Sequence, residues 1–247
     1  MRSYVIKEAK LYMSYFKWDA FFQVFPRLVK CIPVTLGITA ASFSAGLILA
    51  VLIAVSRIYK IPVLRQLSAV YISFMRGTPI LIQLFIVKLS FPTIIWVLTG
   101  INVGRIWHQI VFVIIAYSLN SAAFLSEIIR SSFYGVDTVQ HEAAYTVGMT
   151  SSQSFVHVIF PQMFRIAIPS IANSLSGLLK DTSLAYSAAG VIDVMGMVAA
   201  HNTLTYRFFE GYIGAAIIFF TLCLIIQQSF KYMEYRLDYG KFLTKEV

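Results

Sequence analysis

The sequence predicts an all-α membrane protein with about five transmembrane helices, and three observations carry that prediction. Mean hydropathy is +0.75, with 58% hydrophobic and only 13% charged side chains over 247 residues. An ordinary soluble domain has about 25% charged and 45–50% apolar residues. Uncharged runs long enough to span a bilayer, about 20 residues each, recur along the chain. Lys and Arg outnumber Asp and Glu by 20 to 11, and they sit mostly at the edges of those runs, as residues that orient membrane loops do. This composition argues against a soluble enzyme and excludes disordered, collagen-like and disulfide-scaffold chains. The net charge of +9 comes without a basic stripe or groove-reading motif, so the partner is the lipid bilayer and not nucleic acid. Cys31 and Cys223 are far apart and motif-free, and imply neither a metal site nor a disulfide framework.

The elements follow in chain order. Residues 1–24 read as an N-terminal amphipathic, extracytoplasmic extension. Charges there and up to Lys30 are too dense for a secretory signal. The interleaved aromatics, Trp18, Phe21 and Phe22 among them, fit an interfacial amphipathic segment or a tail touching headgroups. Residues 25–235 form the transmembrane domain. Pro33 to Val55 is the first uncharged run, followed by Arg57, Lys60 and Arg65. The second run, Ile61 to Lys88, is interrupted by Arg76-Gly77-Thr78-Pro79. Residues 90–104 contain Pro92, Gly100 and Gly104 and read as a loop or a short re-entrant piece, because lipid cannot satisfy broken backbone. The third span runs from Ile106 to about Phe133, the fourth from Ile166 to about Val191, and the fifth from Gly211 to Phe230. Residues 134–165 are too polar to span and form a loop, and residues 236–247 a polar tail. With the basic 57–65 loop inside, five spans put the 134–165 loop and the C-terminus in the cytoplasm and the N-terminus outside.

Charges inside the spans are functional-site candidates, because a charge in the membrane centre is costly. At 1.5 Å per residue, Arg76 lies about 21 Å up the second span and Asp181 about 22 Å up the fourth. Asn120 and Ser121 lie roughly 18–20 Å up the third. Arg76, Thr78, Asn120, Ser121, Lys180 and Asp181 are therefore the substrate-pathway candidates. A guanidinium fork matches a carboxylate, and Asp181 suits an ammonium group; alternatively, Arg76 and Asp181 neutralise each other and hold helices together. Gly77 and Pro79 weaken the helix beside Arg76, either as a broken-helix substrate site or as a tolerated kink. Glu127 and Arg130, three residues apart, read as a local ion pair. The four histidines, His108, His141, His157 and His201, read as surface or loop residues.

The 134–165 loop carries the most specific pattern. Glu142-Ala143-Ala144 is followed by Gly148 and by Val158-Ile159-Phe160-Pro161. The small groups at helical spacing suit a helix over 142–158 lying close in a groove of another protein. Here the sequence resembles the membrane subunits of bacterial ABC importers, whose cytoplasmic loop reads E-A-A-x3-G-x9-I-x-L-P. Glu142, Ala143, Ala144, Gly148 and Pro161 match, with Val158 for Ile and Phe160 for Leu. The resemblance covers residues 25–235. Arg76 to Pro79, Ser126 to Arg130 and Leu179 to Leu184 are similar to segments of the polar amino-acid uptake branch, and residues 121–127 and 190–196 lean towards its L-cystine permeases.

The resemblance implies a type I importer with a MetI-like transmembrane domain and a cytoplasmic coupling helix. It implies a second permease subunit, identical or related, a pair of ATP-binding subunits docked at Glu142, Ala143, Ala144, Gly148 and Pro161, and an extracytoplasmic substrate-binding protein. ATP and Mg belong to the partner: this chain has no G-x4-G-K-S/T phosphate loop, and no cofactor, catalytic residue or metal site is expected on it. The expected location is the bacterial plasma membrane. The substrate is a polar amino acid, L-cystine or alternatively histidine, arginine or glutamine. A stand-alone membrane carrier or scaffold would lack the loop pattern.

Overall fold

The structure, a computed structural model, describes residues 16–242, with side chains to residue 237. Its described residues are helical and strand-free. Five segments are long and apolar enough to cross a membrane: Trp18–Ile58, Ile80–Thr99, Gln109–Tyr134, Ser151–Ala189 and Phe208–Leu237. The expected all-α, five-span architecture is therefore present.

α1 (Trp18–Lys30) and α2 (Ile32–Ile58) meet at Cys31. Pro33 lies in the first turn of α2, where its missing N–H costs least. Residues 1–15 of the expected N-terminal extension lie outside the described residues. The part from Trp18 onward is an amphipathic helix whose Phe21, Val24 and Leu28 are buried.

α2 buries Thr35, Thr39, Ser42, Gly46, Ala50 and Ala54. These small residues, three or four apart, form one face and let two helices approach closely in lipid. The neighbour is α6 (Gln109–Tyr134), with Ser118, Ser121, Ala122 and Leu125 buried. A Cβ at Gly46 would lie 2.8 Å from Ser121 Cβ, so this contact tolerates only glycine.

The second span differs from expectation. α3 (Leu64–Gly77) ends at the Arg76-Gly77 break, and the span proper is α4 (Ile80–Thr99). Residues 90–99, expected as a loop or re-entrant piece, continue α4 through Pro92. An apolar helix already supplies its own backbone partners in lipid, so one missing N–H is tolerated. Gly100 in the left-handed conformation closes it, and the short α5 (Val103–Ile106) follows. α6 starts three residues later than expected, where His108 Nδ1 accepts from the Ile110 N–H at 3.3 Å.

Beyond α6 come α7 (Thr138–Thr146), α8 (Ser151–Ser154) and a π-helical turn at Phe155–Ile159. α9 (Phe160–Asp181) is joined by a 3-10 turn to α10 (Ala185–Ala189). α11 (Val194–Thr205) and α12 (Phe208–Phe242) complete the chain. α12 is longer than the expected 211–230 span and runs through the first residues of the expected polar tail.

Three clusters hold the body. Ile38, Leu84, Val113, Tyr117 and Leu178 join α2, α4, α6 and α9. Val24, Leu28, Val194, Val198 and Ile218 fix α1 and α11 on α12. Val136, Ile159 and Met163 seat the loop on the foot of α9. Large apolar side chains such as Ile48, Leu52, Val97 and Phe220 point outward, as a bilayer-facing surface requires. His201 corrects the sequence reading: it is 8% exposed, and neither ring nitrogen has a partner.

Candidate functional site: a broken helix, two adjoining clefts and an exposed loop

The break between α3 and α4 is set by Pro79. The residue before a proline is pushed out of the helical region, and Thr78 is extended (φ −118°, ψ 144°). Thr78 Oγ1 donates to Phe74 O at 2.8 Å. The freed backbone is strapped by Gln83, which is 3% exposed. Its Nε2 reaches Met75 O at 2.8 Å, Thr78 O at 3.0 Å and Thr78 Oγ1 at 2.8 Å. Its Oε1 accepts from Asn120 Nδ2 at 2.9 Å. The break is thus tied to α6 by one amide pair. Asn120 and Thr78, expected in the pathway, are both engaged in this strap.

Two clefts adjoin the break along the α6–α9 groove. One, of about 220 Å³, is lined by Asn120, Ser121, Asn173, Ser174 and Asp181. The other, of about 430 Å³, is lined by Arg76, Glu127, Ser131, Ser170 and Ser174. Phe124 and Ser174 line both, so the two clefts adjoin between Arg76 and Asp181. The Arg76 guanidinium lies 5.5 Å from the Phe124 ring centroid, within cation–π range.

Arg76 and Asp181 do not pair. Among the described residues the ion pairs are Arg57–Glu127, Arg130–Glu127 and Arg207–Glu210. The neutralising reading of Arg76 and Asp181 is therefore not what the fold adopts: Arg76 lines the larger cleft and Asp181 the smaller. Asp181 ends α9, and its backbone carbonyl accepts from Tyr117 Oη at 2.5 Å. Lys180 is exposed and lines neither cleft. The Glu127–Arg130 pair expected from sequence is present at 2.8 Å, but Glu127 also binds Arg57 of α2, which sequence spacing could not show.

Lys88, not among the sequence candidates, lines neither cleft but ties α4 to α10. It sits in mid α4, and its Nζ donates to Ala188 O at 2.9 Å, at the C-terminal end of α10, where a cation suits the unpaired carbonyls. A lone lysine eight residues into an apolar helix was the available signal. Asp193 was not among the candidates either, and its role is structural. Its Oδ1 caps α11 through the Gly196 N–H at 2.8 Å. The residue is fully buried with Oδ2 unpartnered, and burial pushes its carboxyl up to about 6.

The loop differs in detail from the single 142–158 helix expected. Asp137 caps α7 through the Val139 N–H at 3.0 Å. The helix stops after Thr146, because Gly148 takes φ +81°. Thr150 and Gln153 then form a capping box for α8. Gly148 therefore ends the helix instead of extending its small-residue face. Glu142, Ala143, Tyr145, Val147 and Gly148 are exposed, whereas Ala144 is buried. Pro161 lies in the first turn of α9. The 57–65 and 134–165 loops lie at the same end of the bundle, since Arg57 and Glu127 meet where α2 and α6 run towards them.

Five spans, a strapped helix break in mid-bundle and an exposed helical loop at one end describe a membrane transport subunit. The chain belongs to the family described as "Binding-protein-dependent transport system inner membrane component", which matches residues 14–239, and is a permease subunit of an amino-acid ABC importer, a multi-pass inner-membrane protein. It is 38% identical to the L-cystine transport system permease protein TcyL of Bacillus subtilis (strain 168), over 86% of this chain and 87% of that protein. It is also 38% identical to TcyB, a second L-cystine transport system permease protein of the same organism, over 90% of this chain and 91% of that one. Among solved structures, an amino acid ABC transporter crystallised with histidines superposes with a TM-score of 0.78, 27% identity, and coverage of 90% of this chain and 99% of that one. The MetNI methionine ABC transporter in an inward-facing form shares the fold, with a TM-score of 0.65 at 18% identity, over 85% of this chain and 95% of that one.

Proposed function

We propose that the amino acid carried is L-cystine. The observation that carries this reading is the 38% identity to two cystine permeases over most of the chain. The two adjoining clefts support it chemically: Arg76 offers a fork for a carboxylate, and Asp181, with Asn120, Ser121 and Asn173 nearby, offers acceptors for an ammonium group. Thr78 and Gln83 hold the broken helix in place beside them. A basic amino acid is the second reading, favoured by the neighbour crystallised with histidines.

The exposed Glu142, Ala143 and Gly148 dock into a groove of an ATP-binding subunit, with Ala144 and Pro161 seating α7 and α9 beneath them. Closure of an ATP-binding pair moves this loop and, through α6 and α9, the clefts. ATP and Mg are held by that partner. A second permease subunit completes the pathway, and an extracytoplasmic binding protein delivers substrate. The loop end faces the cytoplasm together with the C-terminus, and the N-terminus lies outside.

The experiment is uptake of labelled cystine by cells with and without this chain, challenged with unlabelled amino acids. Loss of uptake on deletion, competed only by cystine and close sulfur analogues, is expected. Unchanged cystine uptake with loss of histidine or arginine uptake would discard cystine and keep the importer class.

A further inference from the structure

The connection between α2 and α3 has an architecture that its role as a short loop does not require. Lys60 (φ +53°) and Val63 (φ +66°) both take left-handed backbone conformations. For a β-branched residue this is a genuine outlier, and such strain gathers at ligand clamps and switches. The two reversals fold the chain around a cleft of about 710 Å³ lined by Arg57, Lys60, Arg65 and Gln66, with no carboxylate in its wall.

The charge there is only partly spent. Arg57 is committed to Glu127. Lys60 and Arg65 have no acidic partner within 4 Å among the described residues, and both are exposed. Apolar side chains are exposed along the same stretch: Val63, in the cleft wall, is 65% exposed, Leu67 and Val70 one and two turns on along α3 are 61% and 70% exposed, and Tyr59, next to Lys60, is 71% exposed, a residue type that favours the headgroup level. A cation-lined cleft opening onto an exposed aliphatic face matches a ligand with an anionic head and hydrocarbon chains.

We propose that this cleft binds the phosphodiester headgroup of an anionic phospholipid of the inner leaflet. Lys60 and Arg65 contact the phosphate, and Val63, Leu67 and Val70 contact the acyl chains. The inner-leaflet assignment rests on the orientation given under the proposed function. Anionic lipids of the cytoplasmic leaflet attract basic pockets between helices on that side. A bound lipid there would brace α2 against the start of α3, whose other end is the Arg76 break.

The test uses the full chain in nanodiscs of equal phosphatidylglycerol and phosphatidylcholine with matched acyl chains, read by native mass spectrometry. The wild type should retain phosphatidylglycerol preferentially. At about five-fold per cation near an anionic surface, Lys60→Gln with Arg65→Gln should reduce that preference about 25-fold. Arg105→Gln, in α5 at the opposite end, should leave it unchanged. Equal retention of the two lipids, or retention insensitive to the double substitution, overturns the proposal. Displacement of the lipid by millimolar inorganic phosphate also overturns it, assigning the cleft to a free anion. A separate arm labels Gln66→Cys, in a cysteine-free background, with a membrane-impermeant maleimide. Labelling from the cytoplasmic side only is expected. Labelling from outside refutes the orientation and with it the inner-leaflet site, while a cytoplasmic cysteine without lipid preference refutes the lipid site alone.

Discussion

Replacing Gln83 by leucine keeps a side chain of similar size in the α4–α6 contact and removes its amide. Nε2 carries two hydrogens and has three acceptors in reach, at 2.8, 3.0 and 2.8 Å, so it supplies two full bonds to the break. Oε1 supplies a third from Asn120 at 2.9 Å. Interhelical hydrogen bonds in membranes average about 0.6 kcal/mol and reach about 1.7, and three bonds of about 0.6–1 kcal/mol sum to about 2–3 kcal/mol. A chain of this length loses about 2–4 °C per kcal/mol, so Gln83→Leu should lower Tm by about 4–12 °C. The assay is thermal unfolding of the purified chain in detergent, run as a double-mutant cycle with Asn120→Ala. A coupling energy of about 0.6–1.7 kcal/mol is expected for this pair. Losses that add to within about 0.3 kcal/mol, or a Tm drop of less than about 2 °C, would refute the strap.

Three further outcomes follow from the same geometry. Gly148→Val forces a β-branched residue to φ +81°, a strain of about 1–2 kcal/mol; the chain should insert normally but lose most ATP-driven uptake, and normal uptake would remove Gly148 from the docking surface. Lys88→Met removes the 2.9 Å bond to Ala188 O; a spin label at the exposed Ser187 should become more mobile, and an unchanged spectrum would show that Lys88 does not hold α10. For Asp193, the folded carboxyl at about 6 lies above the unfolded value of about 3.9, so the native state binds more protons between those limits and stability falls as pH rises through them. Two units amount to about 3 kcal/mol. Asp193→Asn keeps a capping oxygen and should flatten that slope, becoming at least as stable as wild type at pH 7.5; parallel Tm–pH curves for the two proteins would contradict the assignment.

The sequence read well where the signal was one-dimensional. Span number follows from hydropathy, because each apolar run must satisfy its backbone internally to cross lipid. The break at Arg76-Gly77-Thr78-Pro79 follows from the restriction that a proline places on the residue before it. The Glu142-Ala143-Ala144 pattern with Gly148 and Pro161 at its offsets marked the loop, although Gly148 acts through its positive φ and not through its small size. Boundaries were misplaced where local chemistry competes. Pro92 looked like a breaker, yet α4 continues through it to Thr99.

By itself, then, the chain determined its membrane class, its five spans, its helix break and the pattern of its 134–165 loop, since all of these depend on residues adjacent in sequence. Only the tertiary structure decided the pairing of polar groups. Arg76 lies over Phe124 in the larger cleft while Asp181 lines the smaller, Glu127 serves both Arg57 and Arg130, and Gln83 spans from the break to Asn120. Placing Arg76 and Asp181 at one height along their helices was a statement about rise per residue. Whether two groups at one height meet depends on helix rotation and approach, and here the small-residue contact of α2 with α6, closed to van der Waals distance at Gly46, helps to set both.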